Sequence, residues 1–378
     1  MITLSVSRKG SREMKKKHSI LLLLALGILI PSAHATVTCT LNPASPAINT
    51  TVALQGGNIT AGEDVPNGTI LFRQYFKPSR SPSVQCHSTV VPWSFKSNAR
   101  YIANPKPLSL WNTGSWAGKV YETGIPGLGV AVWYSGNAVP FDRASGSFNA
   151  PNASYGTDVQ FDMSFIKIGP ISPGTIRGQD LPTVAFEFTP QIGTAIRTST
   201  VSFSGTLNVV ARTCTTPNPV VALGSWNADL QFKGAGSTSD WRNASINLTN
   251  CPRFYGKMDS GQNNYGSDSP TDPGGVGTPQ ANTLALILRP NTTIIDSAKS
   301  IIALQNSPDK ATGVGIQIAY NTNASPELAV FNAEKKYIMV NNANTSVSIP
   351  LFARYYQTEA KVKPGVANAT MMYTINYY

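Results

Sequence analysis

Histidine, charge and long apolar runs are all scarce in this chain of 378 residues. Of its three histidines, only His87 lies beyond residue 35. A Ser/His/Asp or Cys/His catalytic arrangement would have to be built on that one ring, and no G-x-S-x-G motif surrounds a serine. A metal site fails on the same shortage: with four cysteines, no C-x-x-C and a single histidine there is no ligand set, and no cofactor motif takes its place. Charged residues make up 13% of the chain, and after residue 35 no run of basic residues exceeds Lys335-Lys336. Nucleic acid needs a basic stripe, so no nucleic-acid partner is expected. Past residue 35 no apolar run approaches the roughly 20 residues that cross a bilayer as a helix, and no convincing 3.6-residue apolar period appears.

What is present begins with a leader. Arg8, Lys9, Arg12, Lys15, Lys16 and Lys17 precede an apolar run from Ile20 to Ile30, and Ala33-His34-Ala35 follows. A basic start, an apolar core and an A-x-A site make residues 1–35 a secretory signal peptide, with the mature chain from near Thr36. Met14, directly before the lysines, is a more typical start for such a leader than Met1. Residues 1–35 hold six Lys/Arg and one acid, so removing them takes the formal net charge from +11 to +6. In an exported chain, Cys39, Cys86, Cys214 and Cys251 point to disulfides. Of the three possible connectivities, Cys39 with Cys86 and Cys214 with Cys251 keeps each bridge within one half of the chain.

The texture is all-β. Thr, Ser, Asn and Gly dominate, and short alternations of apolar residues are separated by Pro/Gly/Asn clusters. The 343 mature residues suffice for two domains of ordinary size, expected as β-sandwiches over 36–210 and 211–378. In the first, strands are expected at 69–76, 127–134, 159–168, 183–188 and 200–210. Between and beside them lie Trp93, Trp111, Trp116, Trp133 and Tyr134, interleaved with Gly, Ser, Asn, Asp142 and Arg143. Aromatic rings stack on the C–H faces of sugars while Asp, Asn and Arg bond hydroxyls. Trp111, Trp116, Tyr134, Asp142 and Arg143 are therefore the candidate ligand-binding residues, although a sandwich core also uses such rings. Asp142, Asp158, Asp162 and Asp180 supply carboxylates a glycoside hydrolase would need, but their spacing does not favour that, and no enzymatic activity is expected.

In the second half, 257–282 is rich in Gly, Asn, Asp and Pro and reads as a long loop. Strands are expected around Leu284, Leu286 and Leu288, around Val314, Ile316 and Ile318, over 347–355, and from Val366 onward. In the last of these, Ala367, Ala369, Met371, Tyr373, Ile375 and Tyr377 alternate with polar residues and Tyr378. That is a strand with one apolar face. Neither charge nor proline blunts its edge, so either earlier segments of this chain pair it on both sides or it invites a strand from another chain. The half then has about six strands, one short of an immunoglobulin-like sandwich.

Cys214, Leu223-Gly224, Cys251, Gly313-Val314-Gly315-Ile316, Ile349 to Tyr355 and the strand 367–378 together resemble the pilin domain of two-domain tip adhesins of bacterial chaperone-usher fimbriae. Glu122 to Val130 and Lys167 to Gly174 are similar to segments of those adhesins' lectin domains. The resemblance implies an incomplete immunoglobulin-like domain whose groove, lined by Ala369, Met371, Tyr373, Ile375, Tyr377 and Tyr378, is filled in the periplasm by a chaperone strand and in the fimbria by the next subunit's N-terminal extension. It also implies export through an outer-membrane usher to the fimbrial tip, the carboxylate of Tyr378 held by basic chaperone residues, and a host glycan or glycoprotein as receptor. A host-matrix protein is the alternative receptor, and an exported glycoside hydrolase the remote one.

Overall fold

The computed structural model describes residues 35–259 and 264–378; the leader reading falls outside them. The first half contains β1 (Ile48–Ala53), β2 (Ile70–Phe76), β3 (Trp93–Ala103), β4 (Leu128–Tyr134), β5 (Phe141–Phe148), β6 (Phe161–Lys167), β7 (Thr183–Pro190) and β8 (Ile196–Ser204). The expected strand over 200–210 is broken at Gly205, which sits at φ +75°, and resumes at Thr206–Val210. Two sheets face each other. One runs β5-β3-β7-β8-β1; the other contains β2-β6-β4, with Tyr121–Glu122 beyond β4. The period of two decides what lies between them. Phe161, Met163 and Phe165 on β6, Val130 and Val132 on β4, and Phe72 and Phe76 on β2 meet Ala99, Val184, Phe186 and Val201 of the opposite sheet in one buried cluster. Full burial of such a side chain contributes about 1.5–3 kcal/mol. A third layer, Val37–Leu41, Ser83–Ser88 and Asn152–Gly156, packs on Trp93, Phe95 and Phe188. Its Cys39 and Cys86 are cross-strand partners and form a disulfide.

The second half contains β9 (Thr283–Pro290), β10 (Val314–Thr322), β11 (Glu334–Ile338), β12 (Leu351–Gln357) and β13 (Met371–Tyr377). Pro350 splits the expected 347–355 strand into Val347–Ile349, which pairs with Ile246–Leu248, and β12, which pairs with β10, because proline brings no N–H to a ladder. The remaining sheet is β11-β9-β13. Leu284, Leu286, Leu288, Ile316, Ile318, Leu351 and Ala353 share a second core with the Cys214–Cys251 disulfide. In chain order the buried residues of the first half's core run through Val209 and are rejoined by Met258, while those of the second half's start at Cys214.

Of the expected long loop at 257–282, the described residues 257–259 and 264–282 bridge the halves. Met258 enters the first half's core, and Gly56 leaves room for its sulfur, which would stand 2.6 Å from a Cβ there. Tyr265–Gly266 pairs in parallel with β2, and Gly274–Gly275 pairs with Tyr265–Gly266. The amides of Arg73 and Tyr75 donate to the carbonyls of Met258 and Asn264. Asp268 accepts from the Ser79 amide at 2.6 Å and pairs with Arg80 at 3.4 Å. The sheet is thereby seven-stranded.

Candidate functional site

Strand β13 pairs with β9 along one edge, in the register Tyr377 opposite Leu284, Ile375 opposite Leu286, Tyr373 opposite Leu288 and Met371 opposite Pro290. Thr283 and Tyr378 exchange both backbone hydrogen bonds at 2.8 Å, and the Asn291 amide donates to the Thr370 carbonyl. Even-numbered residues of β13 thus turn their amides toward β9. Odd-numbered ones turn theirs to the other edge. Met371, Tyr373 and Ile375 are the odd residues, and no strand among the described residues pairs with them there.

The side chains carry the same asymmetry. Leu284, Leu286 and Leu288 are at most 1% exposed, whereas Ala367, Ala369, Met371, Tyr373 and Ile375, facing the same core from β13 and the segment before it, are only half-buried. An apolar face that is open to solvent and flanked by unpaired amides is a strand-shaped groove. Across it lies the segment after Cys214, attached to β13 through side chains: the Tyr373 hydroxyl donates to the Pro217 carbonyl, and the Cys214 amide donates to the Tyr377 hydroxyl at 3.3 Å. Burial raises the pKa of both phenols. At the Ala367 end is a cavity of about 330 Å³ walled by Trp226, Phe232, Val314, Tyr355 and Val362.

The other end is closed by the first half. Asp64 donates its amide to the Tyr377 carbonyl at 3.1 Å, and its carboxylate accepts from the Tyr377 amide at 2.8 Å. Gly62 lies so close that a Cβ there would stand 2.2 Å from the Tyr377 carbonyl oxygen. The Lys167 ammonium, its pKa lowered by burial, donates to the carbonyls of Gly62 and Glu63 and holds this turn in place. Of the six groove residues expected from sequence, Tyr378 is set apart: its phenol donates to Glu334 at 2.7 Å, and its side chain packs at the first half's core. Asp64 was not selected from sequence, and nothing local distinguishes it there.

The five candidate ligand residues do not converge. Trp111 and Trp116 lie on the outer face of the seven-stranded sheet, half-buried, with Trp116 4.9 Å from the ring of Trp133. Trp111 covers Gly68, and its indole N–H is buried without a partner. Tyr134 follows Trp133 on the same strand and so points the opposite way, into the core, stacked on Phe141 at 5.6 Å. Arg143 lies 5.4 Å from that ring, and Asp142 is exposed on β5. Strand parity was the available signal for this division, because Val130, Val132 and Tyr134 share one face.

On the outer face, Trp133 is directly across from Asp162 on β6, Asp162 from Tyr75 on β2, and Tyr75 from Tyr265. Asp162 is 8% exposed. Burial pushes its carboxyl above the usual carboxylate range, against the pull of Arg73 at 3.6 Å and of the Ser164 hydroxyl, which donates to it at 3.1 Å. Of the four aspartates considered for hydrolysis, only this one lies on that face of the central strands. Among the described residues no cluster of His, Cys, Asp and Glu is arranged to hold a metal ion, and no helix is long and apolar enough to cross a membrane.

Residues 201–378 match the family model described as fimbrial protein. Among solved structures, the chain is similar to the CupB6 tip adhesin from Pseudomonas aeruginosa, at 14% identity over 90% of this chain and 95% of that one, TM-score 0.33. It is also similar to the receptor binding domain of the plasmid-born adhesin MrkD1P of Klebsiella pneumoniae, at 20% identity over 47% and 98%, TM-score 0.30. A third similarity is to a point mutant of the CFA/I enterotoxigenic E. coli adhesin CfaE, at 9% identity over 87% and 92%, TM-score 0.20. No curated protein matches the chain.

Proposed function

We propose that this chain, fimbrial through its residues 201–378, is the adhesin at the tip of a chaperone-usher fimbria. Residues 211–378 act as a pilin domain that accepts a strand, and residues 36–210 bind carbohydrate on a host surface. Its role is structural and adhesive, not enzymatic.

The half-buried inner face of β13 carries the first part. An incoming strand adds backbone bonds at Met371, Tyr373 and Ile375 and covers their side chains, so that alternate residues of the donor fix the register. Each newly buried side chain contributes up to about 1.5–3 kcal/mol before ordering costs. A periplasmic chaperone supplies that strand first. The next subunit's N-terminal extension replaces it at an outer-membrane usher. A whole domain occupies the place before Cys214 from which a pilin would donate, so this subunit accepts only, which fits the tip. Titrating residues 36–378 with a synthetic peptide apolar at alternate positions tests the reading. A gain of about 4 kcal/mol shifts the thermal midpoint of a domain of this size by roughly 10 °C. An unchanged midpoint, together with slowly exchanging amides at 371, 373 and 375 in the free protein, would overturn it.

The tryptophans of the outer face support carbohydrate as the receptor class. One observation favours a protein receptor instead: Leu110 is 99% exposed and Leu108 is 49% exposed beside them, an apolar projection of the kind protein interfaces use. Undiminished binding to enzymatically deglycosylated matrix would decide for the second receptor.

A further inference from the structure

Resting on the carbohydrate reading, we infer that the receptor site is built by both halves of the chain on the outer face of the seven-stranded sheet, and that it takes an uncharged oligosaccharide. The lower part of that face is already covered: Trp111 and Ile70 pack over Ala131, Ile166 and Val120. The upper part is lined instead by polar and aromatic side chains, with Arg73 more open than the Asp162 beneath it. Its floor is Asp162 with Arg73, one wall is the Trp116–Trp133 pair, and the other wall is Tyr75 with Tyr265.

Four strands carry this row, and at about 4.8 Å between neighbouring strands it is roughly 14 Å from Trp133 to Tyr265. That span suits several linked sugars better than one. The part-buried Trp116–Trp133 pair at one end and Tyr75, backed by Tyr265, at the other offer stacking faces, and the polar floor between them offers a carboxylate acceptor and a guanidinium donor to hydroxyls. The charges on the face cancel locally. Asp162 is paired with Arg73, while Lys77 lies 4.1 Å over the Tyr265 ring and the Tyr265 hydroxyl donates to Asp272. Among the described residues of this face no excess of cations faces a sialic or sulfated sugar, which sets the ligand class. Tyr265 belongs to the 264–282 part of the bridge, and Gly275 packs against its ring, where any Cβ would lie 2.7 Å away. The bridge therefore sets one wall of the site rigidly.

The test uses residues 36–378, with donor peptide bound, on a printed array of neutral and sialylated oligosaccharides. Trp133→Ala is expected to reduce the neutral-glycan signal at least tenfold, and Tyr265→Ala about fivefold. Trp133→Phe should restore most of it, and Arg197→Ala, on the opposite sheet where it pairs with Glu187, should change nothing. Tyr265→Ala alters a strand-edge side chain outside the core, so a folding failure of Trp133→Ala leaves the question answerable. Neutral-glycan binding that survives both alanine variants at unchanged thermal midpoints would overturn this site while leaving carbohydrate binding intact. Binding confined to sialylated glycans would overturn the ligand class. A protein that bound no glycan would overturn the carbohydrate reading itself.

Discussion

Two sheet edges in this molecule meet opposite fates. The edge at β2 is covered by the chain's own Tyr265–Gly266, whereas β13 pairs on one side only and its inner side chains stay half-buried. Both edges belong to strands with an apolar face, and both would template association if left bare. The difference lies in what the sequence supplies nearby. A Gly- and Asn-rich segment can approach β2 closely, with Gly266 against Val52 and Gly275 against a tyrosine ring. Among the described residues nothing comparable reaches Met371, Tyr373 and Ile375. A chain that closes one edge internally has the means to close edges, so the second opening is the one the proposed donor strand would fill.

The strongest way to break the contrast is to spoil the open edge. Ile375→Asp places a charge in the groove between Tyr373 and Tyr377, where an unpaired carboxylate costs several kcal/mol to bury. It is expected to abolish capture of an alternating apolar peptide, measured by calorimetry, while leaving the first half's near-ultraviolet circular dichroism unchanged. Opening the closed edge should have the next largest effect. Replacing residues 264–275 by a short Gly/Ser linker bares β2, and the variant is expected to self-associate in sedimentation, whereas the parent protein with donor peptide bound is expected to stay monomeric.

Smaller effects sharpen the comparison at the junction. Gly62→Ala drives a methyl group into the Tyr377 carbonyl and is expected to cost about 1–3 kcal/mol, with faster hydrogen exchange at both 61–64 and 375–378. Asp64→Ala removes one hydrogen bond to an exposed carboxylate and should cost about 0.5–1.5 kcal/mol. The smallest effect is at Asp162. Its carboxyl has a raised pKa in the fold because burial disfavours the charged form, so its contribution is fully present below the ordinary carboxylate range and lost as pH rises through the raised value. Asp162→Asn should flatten that decline in the thermal midpoint across mildly acidic pH without changing the rest of the curve.

Alternation made much of the framework legible. Leu284, Leu286 and Leu288, and Met371, Tyr373 and Ile375, announce two strands and the face each turns inward, and both disulfides follow the pairing that keeps each bridge local. The same rule would have divided Trp133 from Tyr134, but the ligand residues were chosen by chemistry and proximity in sequence, which ignore the two faces of a strand. The bridge was illegible for a different reason. Tyr265–Gly266 and Gly274–Gly275 are too short to show any period, and their stability comes from β2, nearly two hundred residues away. Asp64 is equally silent, since its role depends on a backbone amide at the far end of the chain.

The bond pair between Asp64 and Tyr377 has a consequence for any visiting segment. It occupies the rung after Ile375 before a guest arrives, and so acts as an end stop from which position is counted. A donor strand of the kind proposed would begin its ladder at Ile375 and proceed toward Met371. Offset by a single residue, it would turn its apolar side chains to water, so the fixed stop rejects wrong phases as well as wrong sequences.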